Sequence, residues 1–126
     1  MPERAVDVRL GFFRIADAQR FQFGVSTLGD LVSQHEHMAS IGVRPHRAAN
    51  HGEATSFSYR DPDRNIVEFS CPNFATVEEK VAFLSGPVFA ADPSGLELDP
   101  GRFAALYRAG DSEDELLRLD NPAVAL

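Results

Sequence analysis

Apolar side chains recur at every second position at the start of the chain, with Val6, Val8, Leu10 and Phe12 on one side, and this predicts a strand over Val6–Ile15 with a solvated opposite face. Ala16-Asp17-Ala18 reads as a turn. The alternation resumes with Phe21, Phe23 and Val25 facing inward, and Ser26 and Thr27 follow as cap residues. Thr27 with Asp30 three positions on approximates a capping box. From there Leu28, Leu31, Val32, His35, Met38 and Ala39 recur at three- and four-residue steps, predicting one amphipathic helix of about 13 residues. Gly42 stands where a left-handed C-terminal cap belongs.

Val43–His46 reads as a short extended piece, because the residue before a proline is driven toward the β region, and a loop follows it. Thr55–Tyr59 and Ile66–Phe69 are rich in strand formers, and the turn formers of Asp61–Asn65 between them make the pair a hairpin. After Pro72 the pattern turns helical, with no further strand expected. Thr76, with Glu78 and Glu79 in the first turn, opens a helix running through Val81, Phe83 and Leu84 to Gly86-Pro87. Asp99-Pro100 opens another, leading Phe103, Leu106 and Tyr107 to Gly110, and Ser112 with Glu115 opens a third over Leu116, Leu117 and Leu119. Phe89–Leu96 lacks periodicity and is expected as an extended wrap. The expected organisation is a module with its leading strand over 1–72 and a helical tail over 73–126, packed on or beside it.

Composition narrows the function. At 126 residues, 44% of them apolar, the chain suffices for one core or for half of a shared one. Nineteen acids against 12 bases give a net charge of −7, which disfavours nucleic acid and anionic membrane as partners. No apolar run approaches the roughly 18 residues needed to cross a bilayer, and the start lacks a secretory pattern, so a cytoplasmic location is expected. One cysteine, Cys71, excludes an intrachain disulfide and a cysteine-cluster zinc site. Such a lone thiol reads as a small buried hydrophobe. No Gly-rich phosphate loop, nucleophile elbow or His-Glu-x-x-His helix is present.

The run Tyr59-Arg60-Asp61-Pro62-Asp63-Arg64-Asn65-Ile66-Val67-Glu68-Phe69 closely resembles the final hairpin of the vicinal oxygen chelate superfamily, which comprises glyoxalases, bleomycin-resistance proteins and extradiol dioxygenases. Asn50-His51-Gly52 upstream, and Asn73-Phe74 with the helical tail, resemble most the C-terminal module of catechol-type ring-cleaving dioxygenases. The resemblance implies an α+β fold, a βαβββ module whose curled mixed sheet normally pairs with a second module around a metal. In ring-cleaving relatives that metal is Fe(II), or sometimes Mn(II), held by two histidines and a glutamate so that substrate and dioxygen meet on one ion. Glu68 falls at the family's glutamate position; its bland reading is a solvated strand carboxylate.

The other family positions are altered. Arg20 stands where the resemblance places a ligand histidine, and a guanidinium cannot deprotonate to bind a metal. Ser58 stands where a proton-transferring tyrosine is usual, with Tyr59 expected on the opposite face. Arg64 replaces the usual turn glycine. His51 is the candidate acid–base group, with Asn50 beside it, and its bland reading is a turn-capping loop histidine. His35 is expected to pack in the core, and His37 and His46 at the surface. Two classes therefore stand. One is an extradiol-dioxygenase-like subunit acting on a catechol-like molecule, with Glu68 on iron, His51 assisting, and the missing histidines supplied by a homodimer mate, a separate second module or a shifted register. The other is a metal-free binding or accessory protein in which Arg20 pairs with Glu68 and the cup holds a hydrophobic ligand or only another subunit; Arg20, Asn50 and Ser58 are the expected contacts to a small aromatic ligand, and an Arg20–Glu68 pair in the cup would prefer an anionic or hydrogen-bonding molecule.

Overall fold

The computed structural model describes residues 8–15 and 18–126, with side chains from Arg20 onward. Six strands, β1 (Val8–Ile15), β2 (Ala18–Val25), β3 (Arg47–Asn50), β4 (Ala54–Arg60), β5 (Ile66–Pro72) and β6 (Leu96–Glu97), form one sheet in the order β1-β2-β5-β4-β3-β6. Only β2 and β5 run parallel among the named pairs, so the sheet is mixed, and it is curled and unclosed. Among the described residues five helices accompany the sheet: α1 (Leu28–Ser40), α2 (Val77–Leu84), α3 (Pro87–Ala91), α4 (Pro100–Ala109) and α5 (Glu113–Leu116). This is the expected α+β module with a helical tail. The first strand lies where the alternation puts it, while the inward set of Val6, Val8, Leu10 and Phe12 and the turn at Ala16-Asp17-Ala18 involve positions outside the described residues.

Local chemistry explains the helices. Thr27 caps α1 by accepting the Asp30 amide on Oγ1 at 3.0 Å, and the chain leaves the helix through Gly42 at φ +82°. Thr76, Asp99 and Ser112 accept in the same way from Glu79, Arg102 and Glu115. The buried stripe of α1 is Leu28, Leu31, Val32 and His35, packed on the β-face that carries Phe57, Tyr59 and Cys71. Phe103, Leu116, Val124 and Leu98, all from the last third of the chain, complete the same core. Phe57 sits edge-on to both His35 and Phe103, at 5.3 and 5.9 Å.

Three expectations needed correction. The extended piece expected at Val43–His46 is not a strand; pairing starts when the His46 amide donates to the Ser58 carbonyl, and the strand is β3, Arg47–Asn50. Its Ala-Ala centre has little strand propensity of its own, and the order comes from β4 on one side and β6 on the other. The wrap expected over Phe89–Leu96 is instead the short helix α3 followed by a turn into β6. Gly86 and Pro87 supply its start, since proline at the first position has no amide to leave unsatisfied. A strand after Pro72 exists because Gly95, at φ +73°, passes so close to Asn50 that a Cβ would lie 2.0 Å from its carbonyl oxygen, which lets Leu96 and Glu97 reach β3.

The Phe57–Phe103 contact joins the sheet to the tail, so Phe103→Ala should lower the unfolding free energy by about 3–5 kcal/mol in urea titration, with the slope unchanged. A second expectation concerns acid. Burial lowers the His35 pKa, with Arg44 adding to the effect and Glu36 opposing it. The unfolded state therefore binds more protons just below the ordinary histidine value, and stability falls as pH drops from about 6.5. His35→Leu should reduce the loss of stability seen between neutral pH and about pH 5; His46, also held low, leaves a residual slope.

Candidate functional site

Period-two alternation gives the sheet two unlike faces. Phe23, Phe57, Tyr59, Phe69 and Cys71 point toward α1 and the core, whereas Arg20, Gln22, Ser56, Ser58, Glu68 and Ser70 line the other side. Register brings the polar set together: Glu68 lies opposite Gln22 on β2 and Ser58 on β4, and Ser56 lies opposite Ser70. Ser56 donates to Ser70 Oγ at 3.3 Å.

At the centre, Arg20 Nη1 lies 3.5 Å from Glu68 Oε2, with the carboxylate side chain only 8% exposed and the arginine 25%. Around the pair open two hollows. The larger, about 640 Å³, runs past Gln22, His51, Ser56, Ser70 and, at its mouth, Lys80 and Glu53, which form an ion pair at 3.2 Å. The smaller, about 110 Å³, is bounded by Arg20, His46, Arg47, His51, Ser58 and Glu68. The lining is hydrophilic, with Gly24, Ala54 and Pro72 as its apolar members in the larger hollow.

Of the residues expected at a site, Arg20, Ser58, Glu68 and His51 meet here. Asn50 does not. It is fully buried on the other side of β3, where its Oδ1 accepts from the Gly52 amide and Asn73 Nδ2 and its Nδ2 donates to the Leu117 carbonyl, all at 2.8 Å. Asn73 also accepts from the Thr55 hydroxyl and donates to the Gly52 carbonyl. This network holds the turn after His51, whose Nδ1 lies 3.2 Å from the Ser94 carbonyl. Gly52 takes φ +87°, where a side chain is strained, and a Cβ there would lie 2.1 Å from Phe83 Cζ unless the ring moved. The period-two reading already put Gln22 on the polar side, and Asn73 was marked only through the family resemblance, while nothing local marked Lys80, whose placement depends on the tail.

The remaining expectations fall on either side of this face. Tyr59 lies on the core face, its ring edge-on to Phe69, and burial pushes its hydroxyl up to about 12. Burial, then Glu113 and Asp30, likewise pushes the buried Cys71 thiol up to about 11, which leaves no reactive thiolate. Arg64, in place of the usual glycine, has φ +66°, alone in the left-handed region among the described non-glycine residues. Asp61 holds that turn: Oδ1 accepts from the Asp63 and Asn65 amides and Oδ2 from Asn65 Nδ2. His37 and His46 are exposed.

A metal does not fit the donors present. Among the described residues no three histidine, cysteine, aspartate or glutamate side chains come together, and a permanent cation lies 3.5 Å from the Glu68 carboxylate.

Two curated relatives match. The chain is 36% identical over 110 residues to biphenyl-2,3-diol 1,2-dioxygenase 2 of Rhodococcus globerulus, covering 79% of this chain and 58% of that protein. It is 39% identical over 94 residues to biphenyl-2,3-diol 1,2-dioxygenase 3 of the same organism, covering 75% of this chain and 50% of that protein. The chain belongs to the vicinal oxygen chelate superfamily. It spans about half the length of the curated relatives it matches, which are extradiol dioxygenases of that superfamily. No family model and no solved structure matches it. Among the described residues, no helix is long and apolar enough to cross a membrane.

Asn50→Ala would strip partners from Gly52, Asn73 and Leu117 at once, and should destabilise the protein by about 2–3 kcal/mol. Amide hydrogen exchange should quicken in the segment 50–54 and around Leu117 while α1 stays protected; uniform quickening across the chain would contradict the network's local role.

Proposed function

We infer that this chain is a small-molecule-binding module of the extradiol dioxygenase branch that works without a metal of its own. The observation that supports this reading is the Arg20 guanidinium 3.5 Å from the Glu68 carboxylate, at the centre of the polar face. A divalent ion at Glu68 would share that carboxylate with a fixed positive charge, and the repulsion in a half-buried setting opposes binding. The two side chains together form a donor–acceptor pair suited to an oxygen-rich ligand, and His51, Ser56 and Ser58 add groups that both give and accept hydrogen bonds. The relatives' names point to aromatic diols, so an oxygenated aromatic is the first ligand class to try.

A second reading keeps ring cleavage. It is favoured by the 36–39% identity to dioxygenases, and in it Glu68 joins histidines of a second module, in another copy or a separate chain, around Fe(II) or Mn(II), with His51 acting on the substrate. Arg20 would then have to leave the carboxylate.

Anaerobic loading with Fe(II) followed by desalting, metal analysis and mass measurement in solution separates the two. The expected outcome is far less than stoichiometric iron and no oxygen uptake with biphenyl-2,3-diol, alongside saturable binding of an aromatic diol by calorimetry that Glu68→Gln weakens. Stoichiometric iron that is lost in Glu68→Gln, accompanied by ring cleavage, would overturn the metal-free reading and leave the second.

A further inference from the structure

The smaller hollow differs in charge from the rest of the molecule. The chain carries a net charge of −7, yet this recess is walled by Arg20, Arg47 and His46 against a single carboxylate, Glu68. Arg47 is held at the rim by Glu97, its Nε 3.1 Å from Oε1, and Arg20 by Glu68. A further guanidinium, Arg60, acts on the same imidazole: burial first, then Arg60, Arg20 and Arg47, hold the His46 pKa low, while its bond to Ser58 opposes them. Two guanidinium groups lining one small polar recess, with Arg60 close enough to act on its imidazole, favour an anion there in an acidic protein.

The recess also limits what the anion can be. Its roughly 110 Å³ equals the liquid volume of about four water molecules, enough for a few non-hydrogen atoms. Ser56, Ser58 and Glu68 at its floor are at least nine-tenths buried, so their positions are set before any ligand arrives. Glu68 accepts hydrogen bonds and donates none when ionised, so a carboxylate turned toward it would be repelled, whereas a hydroxyl would be accepted. An anion that satisfies both walls carries a carboxylate toward Arg20, Arg47 and His46 and a hydroxyl toward Glu68.

We propose that the recess between Arg20, Arg47, His46 and Glu68 is a binding site for a small 2-hydroxycarboxylate, or for that group on a larger ligand whose remainder lies in the adjoining 640 Å³ hollow. The assignment rests on the metal-free reading of the same site. It makes the net charge and the hydroxyl of the ligand, and not its aromatic area, the basis of recognition. The lining agrees, since no phenylalanine or tyrosine side chain borders either hollow among the described residues.

The test uses the full chain, stripped of metal and checked by metal analysis, titrated with L-lactate, lactamide and acetate and followed by calorimetry and amide chemical shifts. Lactate should bind at least about 10-fold more tightly than lactamide, which has the same shape without the charge, and several-fold more tightly than acetate, which lacks the hydroxyl. Arg47→Gln, a change at an exposed rim position that should leave the fold intact, should weaken lactate by about 5-fold and leave lactamide unchanged. Equal affinity for lactate and lactamide, lactate binding indifferent to Arg47→Gln, acetate as tight as lactate, or no lactate binding would each overturn the proposal while the metal-free protein remains as described. Lactate binding that appears only after iron is added would instead overturn the metal-free reading on which it rests.

Discussion

A guanidinium and a carboxylate facing each other across the parallel β2–β5 pair set the conditions for the rest of this molecule. Glu68 is buried enough that removing its partner would leave a charge poorly solvated, so Arg20 and Glu68 must be kept together for as long as both are ionised. That requirement ties the register of β2 to that of β5, because Arg20 reaches Glu68 only when Gln22 lies opposite it. The same register seats Ser58 across from Glu68 on the other side. The polar face is thus organised around a pair that is internally neutral but presents a donor on one side and an acceptor on the other.

The opposite face explains how such a polar surface is tolerated. Stability comes from α1 and from the tail, whose Leu98, Phe103, Leu116 and Val124 fill the core over Phe57. The hydrophobic work is done on one side of the sheet, which leaves the other side free to carry charged and hydroxyl groups. The tail also reaches the site indirectly. Leu117 accepts from Asn50, Ser94 lies against His51, and Phe83 packs on Gly52, so three separate tail segments fix the turn that presents the histidine.

Much of this architecture can be read locally. Thr27, Thr76, Asp99 and Ser112 each open a helix where a side-chain oxygen is followed by an amide three residues on, and the Asp61–Asn65 turn joins the expected hairpin. The pairing of Arg20 with Glu68 was also legible, since it needs only strand alternation and the family spacing. What escaped were elements whose order is supplied from far along the chain. β3 is an Ala-Ala strand that exists because β4 and β6 flank it, and β6 is two residues admitted by Gly95. Asn50 was placed at the site because of its neighbour His51, but β3 turns it away from the face that carries Arg47 and Ala49, and its amide is taken up by the backbone of Leu117 and Gly52. The recess among Arg20, Arg47 and His46 combines residues from β2 and β3 whose proximity no spacing in the sequence announces.

Strand geometry makes strict which group on β2 faces Glu68. A shifted register on β2 cannot restore the ligand that Arg20 displaces, because moving the strand by one residue would turn Phe21 and Phe23 onto the polar face and break the stack of Phe23 on Phe69. Moving it by two would bring Gln22 to the same place, and its neutral amide offers an oxygen but not the imidazole nitrogen that the site's chemistry requires. The group that faces Glu68 is therefore set by the side chain at position 20 and not by freedom in the placement of the strand. The sheet aims a carboxylate from β5 at a cation on β2, and the group standing at position 20 sets the charge that this face presents without altering how the sheet is built.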